Sequence, residues 1–245
     1  MLNSNLKKII KKVIKLIQTP FVLIDYFGFI KLEKNKRFVA DILDFYPCIK
    51  DKTVKTGFDR HYVYHTAWAA RKVAEINPKF HTDIASSLFF SAIVSAFVPV
   101  KFYDYRPADL VLNNFDSGQA DLLNLPFSDE SLSSLSCMHV IEHIGLGRYG
   151  EQLDYDGDLK AITELKRVLS KGGDLLFVTP IGKKAKIQFN AHRVYTYDMI
   201  MDYFSDLSLK EFSLIPENSG AMITGFDQNL IEKEDYACGC FWFTK

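Results

Sequence analysis

The 245-residue sequence has few of the features that mark secreted, membrane-spanning or nucleic-acid-binding proteins. It contains four cysteines and no Cys-x-x-Cys pair. Cys238-Gly-Cys240 is too close for an ordinary disulfide, so we expect reduced core sulfur in a reducing compartment. No stretch approaches the ~18 uninterrupted apolar residues of a membrane-spanning helix. Thirty basic and thirty acidic residues cancel, so the net charge does not indicate nucleic acid binding.

These absences favour a cytoplasmic protein that acts on a small molecule. The N-terminus lacks the uncharged apolar core and the cleavage site of a secretory signal. Apolar residues make up 48% and aromatic residues 14% of the chain, which is enough for a hydrophobic core without disulfides. The length suits one α/β domain with a small appendage. We place an N-terminal helical extension at residues 1–58 and the main domain at 59–245.

A basic amphipathic helix is predicted over residues 5–18. Its lysines share one face and its apolar residues share the other. Thr19-Pro20 is expected to end it, because proline disfavours helix in the residue before it. We favour docking of the apolar face on the protein's own domain. Peripheral contact with an anionic membrane, at the inner face of the cell membrane, is the alternative.

From Lys79 onward the strand and helix patterns alternate, which predicts a doubly wound, mostly parallel α/β sheet. Seven strands are predicted, the last antiparallel: 79–84, 100–105, 119–122, 133–139, 174–179, 207–215 and 236–244. Helices are predicted at 66–76, 88–96, 158–169 and 196–204, with Asp158 and Thr196 as N-caps and Lys171-Gly172-Gly173 as a C-terminal stop. The polar aromatic segment 59–65 either lines a site or begins a surface helix.

Acidic residues lie at the ends of three successive predicted strands: Asp83, Asp104 and Asp121. The small residues Ala85, Ser86 and Ser87 follow the first of them. Carboxyl ends of parallel strands meet at one edge of a sheet, where nucleoside cofactors bind. An acid about 20 residues after the first turn accepts hydrogen bonds from ribose hydroxyls. The set predicts a nucleoside site, although the glycines of G-x-G-x-x-G are absent.

The fourth predicted strand ends in His139-Val140-Ile141-Glu142-His143. As an isolated pattern, His-x-x-Glu-His matches the helical signature of an inverted zinc protease. Here a strand precedes it and the acids surround it, which disfavours a protease. Three interpretations remain open for His139, Glu142 and His143: metal ligands, a metal-free general base, or structural hydrogen bonds.

Taken together, these segments resemble class I S-adenosylmethionine-dependent methyltransferases, in order and spacing, over residues 79–245. The matching pieces are Asp83–Ser87, Asp104, Asp121-Leu122, His139–Ile144, and Glu164–Leu169 before Lys171-Gly172-Gly173. The whole chain also resembles a narrower methyltransferase-like family of unassigned activity, associated with bacterial surface-polysaccharide gene clusters. The resemblance implies a Rossmann-like methyltransferase fold with S-adenosylmethionine as cofactor.

The resemblance also implies roles for single residues. Asp104 would bind the cofactor ribose, Asp121 and Leu122 the adenine, and the segment Ala85, Ser86 and Ser87 would pass beside the methionine part. Asp83 and Met138 are included among the cofactor-binding positions. Ala85 and Ser87 depart from the family pattern, because the broad family usually has glycine at both positions.

Some metal-dependent sugar or catechol O-methyltransferases carry an acid and histidine trio at this point, and this chain is similar to them. That likeness implies a divalent ion such as Mg²⁺, bound by His139, Glu142, His143 and His192 and chelated by vicinal substrate hydroxyls. The polar loop 145–158 lies where acceptor-binding elements of the fold would sit. The expected substrate-binding residues are Arg148, Tyr149, Asp154, Tyr155, Asp156, Asn190, His192 and Arg193.

The hypothesis is therefore a methyltransferase acting on a sugar or sugar nucleotide in bacterial surface-polysaccharide biosynthesis. The alternative is a catalytically inactive module with the methyltransferase fold, which scaffolds polysaccharide enzymes at the membrane through the basic helix.

Overall fold

A computed structural model describes residues 19–34, 37–49 and 51–245. The chain divides into two compact units, Met1–Gly57 and Phe58–Lys245. The predicted basic helix over residues 5–18 lies outside the described residues. Within the described ranges, no helix combines the length and the apolar character needed to cross a membrane.

The first unit contains a helix, α1, over residues 19–31. A short 3-10 helix, Ile42–Asp44, follows, and the carboxylate of Asp41 caps it by accepting a hydrogen bond from the amide of Leu43. The predicted end of the basic helix at Thr19-Pro20 stays a prediction, because residues 5–18 lie outside the described residues, and Thr19 and Pro20 are the first described residues of α1. Proline restricts itself and the residue before it, and the residues after it remain free to adopt helix.

The second unit is built on one large sheet with helices on both faces. Its strands are β1 His81–Ile84, β2 Val100–Asp104, β3 Phe115–Gln119, β4 Leu132–Met138, β5 Leu169–Ile181, β6 Lys186–Gln188, β7 His192–Val194, β8 Ser208–Ile215, β9 Ile223–Thr224 and β10 Ala237–Thr244. Its helices are α2 Arg60–Ile76, α3 Leu88–Val94, α4 Gly157–Val168, α5 Tyr197–Tyr203 and α6 Gln228–Ile231.

Eight strands form the sheet in the order β3-β2-β1-β4-β5-β10-β8-β9, and β6 pairs with β7 in a separate hairpin. Strands β1 to β5 pair in parallel, whereas β10 runs antiparallel between β5 and β8. The predicted fold class is confirmed, and so is the antiparallel last strand. The eighth strand is β9, a two-residue edge strand that the sequence pattern was too short to indicate.

Several predicted boundaries change. The third strand is Phe115–Gln119 rather than 119–122, because Asp121 and Asn124 form a tight turn after it. Lys171-Gly172-Gly173 does not stop a helix: β5 begins at Leu169 and runs through it, and the amide of Gly172 donates to the carbonyl of Lys245 at the end of β10.

Two N-cap predictions have different outcomes. Thr196 caps α5 through its side chain, which accepts from the amide of Met199. Asp158 lies inside the first turn of α4, after the cap residue Asp156. The Asp158 carboxylate is buried and accepts a hydrogen bond from the hydroxyl of Tyr195 at 2.8 Å, so tertiary packing determines its position.

The two central strands supply apolar side chains to both layers. Leu135, Leu175 and Phe177 pack in a cluster with Leu165 of α4, while Met138, Leu176 and Val178 pack in a second cluster with Trp68 of α2. All of these side chains are buried. Such near-continuous apolar strands are typical of a parallel sheet covered on both faces.

Beneath the carboxyl edge of the sheet, the fully buried carboxylate of Asp83 joins three elements. It accepts hydrogen bonds from the hydroxyls of Ser91 in α3 and Ser136 in β4. Burial raises the pKa of Asp83 to about 6, although the serine hydrogen bonds partly oppose the rise. The carboxylate thereby fixes the spacing of β1, β4 and α3 at the point where the chain leaves the sheet.

The residues that follow β1 and β4 both adopt the left-handed backbone conformation: Ala85 has φ 55° and His139 has φ 56°. Their amides still continue the sheet, with Ala85 donating to the carbonyl of Tyr103 and His139 to that of Val178. A residue with a β-carbon is strained in this region, and such strain is common next to functional sites. The sheet therefore ends in two sharp, neighbouring turns.

Replacing Ala85 with glycine should raise the free energy of unfolding by about 0.5–1 kcal/mol. A β-carbon in the left-handed region costs ~1–2 kcal/mol, and the greater unfolded-state entropy of glycine offsets ~0.4–1 kcal/mol of that. Denaturant unfolding followed by circular dichroism measures the change. Ala92→Gly within α3 is the matched control and should lower the free energy by ~1 kcal/mol. A destabilised Ala85→Gly protein would contradict the assigned strain.

Candidate functional site

A cavity of 780 Å³ lies at the carboxyl ends of β1, β2 and β4. This volume is within the roughly 300–1,000 Å³ of small-molecule sites. Eleven of the predicted site residues line it: Ala85, Ser86, Ser87, Asp104, Met138, His139, Glu142, His143, Arg148, Tyr149 and His192. The parallel strands β1, β2 and β4 thus bring together Ala85, Asp104 and His139, of which the first and last are 139 − 85 = 54 positions apart in sequence.

Nine further residues on the cavity wall were not among the predicted site residues: Phe58, Asp59, Arg60, His61, Tyr62, Arg106, Glu217, Asn218 and Tyr236. Four of them belong to the polar aromatic segment 59–65. That segment both begins a helix and lines a site, since Asp59 caps α2 while His61 and Tyr62 face the cavity. The high content of histidine and tyrosine in this segment was the sequence signal that could have identified these residues as part of the site.

At one end of the cavity, the turn after β1 meets the end of β2. The hydroxyl of Ser86 accepts a hydrogen bond from the amide of Met138 at 3.0 Å, which ties this turn to β4. The Asp104 carboxylate accepts from the amide of Arg106 at 2.8 Å. Ser86, Ser87, Asp104 and Arg106 also line an adjoining cavity of 450 Å³. Asp104 therefore presents a carboxylate to both spaces.

Three of the predicted cofactor positions do not line the cavity. Asp83 is fully buried below it and acts through its serine partners. Asp121 is exposed and accepts from the amide of Leu123, while Leu122 is buried in the core. Direct contact of Asp83 with a ligand would require displacement of its serine partners. The adenine contacts of Asp121 and Leu122 stay predictions.

His139 lies at the centre of the opposite end. Its Nδ1 is 2.8 Å from Oε1 of Glu142, and its Nε2 is 3.4 Å from Sγ of Cys238 in β10. The rings of His61, Tyr62 and His65 surround it at centroid distances of 5.5, 5.4 and 4.9 Å. Both His139 and Glu142 are buried, so their interaction takes place in a low local dielectric.

The histidines of this cluster differ in charge. Burial would by itself lower the pKa of His139, but the contacts with Cys238 and Glu142 oppose burial and raise it. Burial also raises the pKa of Cys238, so at neutral pH its sulfur is a thiol and Glu142 supplies the negative charge beside the ring. Burial lowers the pKa of His61 to about 4 and also lowers the pKa of His143 and of His192. At neutral pH, His139 is therefore protonated in the absence of other ligands, whereas the other three are neutral and able to accept a proton.

The tautomer of His143 follows from its partner. Nδ1 lies 2.6 Å from the carbonyl oxygen of Ala191, which can only accept, so Nδ1 carries the proton and Nε2 the lone pair. One nitrogen of the Arg148 guanidinium also donates to that carbonyl at 3.0 Å, and the same nitrogen lies beside the ring, 3.0 Å from Nδ1 and 3.3 Å from Nε2. Of the two predicted general bases, His143 has the protonation state that the role requires, and His139 does not.

Five of the predicted substrate-binding residues do not line the cavity: Asp154, Tyr155, Asp156, Asn190 and Arg193. Arg193 is buried and donates to the carbonyls of Ile144 and Tyr155, with its Nε 3.5 Å from the Asp158 carboxylate. Arg193 thus ties the loop after β4 to the start of α4, and its substrate-binding role stays a prediction. Asp154 is paired with Lys160 at 2.6 Å.

The predicted metal set is not brought together as one group. Glu142 contacts His139 at 2.8 Å, but Nε2 of His143 is 3.9 Å from Glu142 and the ring of His192 is 6.4 Å from that of His143. Within residues 19–34, 37–49 and 51–245, one trio of possible ligands has mutually close atoms: His61, His139 and Cys238, all within 4.8 Å of one another.

Comparisons with known proteins add a family match over part of the chain and a shared fold. The model of the family described as "Caenorhabditis protein of unknown function, DUF268" matches residues 127–213. None of the curated proteins compared matches the chain.

Three solved structures share the fold, and the first two carry methyltransferase descriptions. A proposed sarcosine dimethylglycine methyltransferase from Galdieria sulphuraria is 13% identical, with a TM-score of 0.53, over 75% of this chain and 86% of that one. A chain of the complex of the Haloferax volcanii Trm112 methyltransferase activator with its proposed methyltransferase is 15% identical, with a TM-score of 0.51, over 76% and 90%. The YcgJ protein from Bacillus subtilis is 13% identical, with a TM-score of 0.51, over 75% and 98%. The chain therefore has the Rossmann-like α/β fold that these methyltransferases share.

Proposed function

We propose that this chain is an S-adenosylmethionine-dependent methyltransferase that methylates a hydroxyl of a sugar or sugar nucleotide. The observation that carries the proposal is the continuity of one cavity from the carboxylate after β2 to the histidines after β4. Asp104, His139 and His143 all lie on its wall. In open α/β sheets, ligands bind in this crevice outside the carboxyl ends of the strands.

The turn after β1 fits a nucleoside cofactor although its glycines are missing. Ala85 adopts φ 55°, the conformation that a glycine would adopt without strain. The backbone at this turn thus follows the path that a glycine would allow, and the small side chains of Ser86 and Ser87 leave room for a ligand beside it. This retention favours an active enzyme over an inactive module.

When bound, S-adenosylmethionine would supply a methyl group on a positively charged sulfur. The protein then has to hold the acceptor hydroxyl in line with that methyl group and to take up its proton. His143 is the group suited to the second task, because Nε2 has a lone pair at the cavity wall. As the bound cofactor would transfer its methyl group to the acceptor oxygen and leave as S-adenosylhomocysteine, Nε2 of His143 would take up the hydroxyl proton.

The cavity wall suits a polar, ring-shaped acceptor. Tyr62, Tyr149 and Tyr236 offer aromatic faces with hydroxyl groups, and Arg148 offers a guanidinium group. The guanidinium of Arg60 also lies on the wall, but it donates to the carbonyls of Pro216 and Gly220. Aromatic faces pack on sugar rings, and guanidinium groups bind phosphate in a bidentate manner. A role in surface-polysaccharide synthesis follows from the sequence resemblance and is part of the proposal. Membrane contact through residues 5–18 stays a prediction.

Binding of S-adenosylmethionine and S-adenosylhomocysteine tests the proposal. Asp104→Asn keeps the shape of the side chain but removes its charge, so affinity for both ligands should fall ~10–100-fold, since hydrogen bonds to a charged group contribute ~1.5–3 kcal/mol. Isothermal titration calorimetry measures the change. Asp116→Asn is the control: Asp116 is an exposed acid on β3, away from the cavity, and its replacement should leave affinity unchanged.

Two outcomes of this titration would count against the proposal. Equal affinities of the Asp104→Asn and wild-type proteins would remove Asp104 from the cofactor site. No binding of either ligand at millimolar concentration, by a wild-type protein that unfolds cooperatively, would support the inactive module instead.

Replacing His143 with asparagine should lower kcat by ~10²–10⁴ through loss of the general base. Affinity for S-adenosylhomocysteine should stay unchanged. Because burial lowers the pKa of His143, the wild-type rate should be flat through pH 7 and fall only when pH drops below the ordinary range of histidine. Transfer of labelled methyl groups to a set of nucleoside-diphosphate sugars measures the rate. An equal loss in His192→Asn, a neighbouring histidine on the same wall, would contradict the assignment.

A further inference from the structure

We infer that His61, His139 and Cys238 form a binding site for a soft or borderline divalent cation, and that Zn²⁺ suits their donor atoms best. The three side chains come from α2, from the turn after β4, and from β10. Their ligand atoms lie within 4.8 Å of one another, and all three residues are buried. This set differs from the Mg²⁺ ligands that the sequence implied, since it includes a thiol and no carboxylate.

The interatomic distances are close to those of a tetrahedral site. Bonds of ~2.0–2.3 Å to zinc place neighbouring nitrogen and sulfur ligands about 3.5 Å apart. Nε2 of His139 and Sγ of Cys238 are 3.4 Å apart. The ring of His61 stacks on that of His139 at 5.5 Å, and its ligand nitrogen lies within 4.8 Å of the other two ligand atoms. Completing the site therefore requires the His61 ring to rotate and its nitrogen to approach by up to about 1.3 Å.

Glu142 orients His139 for this role. Its carboxylate accepts from Nδ1 at 2.8 Å, which leaves Nε2, on the side of Cys238, as the nitrogen with a lone pair when the ring is neutral. A carboxylate bonded to the outer nitrogen of a ligating histidine is the usual support of such sites, because it fixes the tautomer and increases ligand basicity. Cation binding displaces the remaining protons.

Two buried acceptors beside the trio have no hydrogen-bond partner among the described residues: Nε2 of His65 and Oε2 of Glu142. Nδ1 of His65 donates to the carbonyl of His61 at 2.6 Å, so Nε2 is the lone-pair nitrogen, and the ring lies 4.9 Å from that of His139. A buried acceptor without a hydrogen-bond partner destabilises the folded protein. A bound cation and its water ligand supply the positive charge and the donors that these acceptors lack.

The chemistry of the donors selects the ion. Imidazole and thiolate favour Zn²⁺ over Mg²⁺ and Ca²⁺, which prefer oxygen ligands. His61 and His139 line the cavity, whereas Cys238 lies behind them. Three protein ligands with a fourth position open to a cavity are typical of catalytic zinc, which lowers the pKa of a bound hydroxyl or water. The inference does not rest on methyl transfer, because cation binding is measurable without cofactor or acceptor.

Titration of chelator-treated protein with Co²⁺ as the spectroscopic probe tests the site. We expect one equivalent to bind, with a thiolate-to-cobalt absorption band and the visible bands of tetrahedral cobalt, and we expect Zn²⁺ to displace it. A Cys48→Ser background removes the exposed thiol. On that background, Cys238→Ser should abolish the thiolate band and weaken Zn²⁺ binding by more than ~100-fold, and Glu142→Gln should weaken it ~10–100-fold.

Cys240→Ser is the matched control. Cys240 is equally buried on the same strand, with its sulfur 4.0 Å from that of Cys238, but it is outside the trio. Its variant should keep the band and the affinity. His61→Gln, on the cavity wall, provides a second variant if Cys238→Ser does not unfold cooperatively, and it should also lose tight binding. Absence of the band in the wild type, or equal affinity in all variants, would overturn the inference.

Discussion

The hydrogen bond between His139 and Glu142 is the interaction on which the rest of the site depends. It joins two buried groups across the turn after β4, where His139 adopts the left-handed conformation. The carboxylate compensates the charge of the imidazolium, and without it a buried cation would be costly. The bond also fixes the direction of Nε2, which faces Cys238 on the antiparallel strand. One local contact thus sets the geometry of the histidine cluster.

The turns after β1 and β4, which are neighbouring strands, contribute different kinds of groups to the cavity. The turn after β1 provides small side chains and a backbone path suited to a nucleoside, with Asp104 beside it. The turn after β4 provides the charged and proton-accepting groups. Asp83 of β1 lies below both turns, where it accepts hydrogen bonds from Ser136 of β4 and Ser91 of α3. Its burial explains why an acid of the expected type, at the expected strand end, supports the site rather than lining it.

The fold and about half of the residues that line the cavity could be predicted, because both follow from the order of strands and helices along the chain. Alternating strand and helix patterns determine a parallel sheet, and the ends of its strands converge, so Asp104, His139 and His143 could be placed together. Cys238 and Tyr236 could not, because they reach the site with β10, which pairs with β5 and β8 and follows His139 by about 100 residues. The sequence also could not show that the guanidinium of Arg193 is buried against backbone carbonyls.

A structure of the protein in complex with S-adenosylhomocysteine tests the central claim, that one cavity holds both a nucleoside cofactor and the proton-accepting histidine. The account predicts that the ribose hydroxyls lie within hydrogen-bond distance of the Asp104 carboxylate. It also predicts that the sulfur atom faces the space in front of Nε2 of His143. A ligand bound outside this cavity, or one whose ribose faces the histidines and whose sulfur faces away from them, would contradict the account.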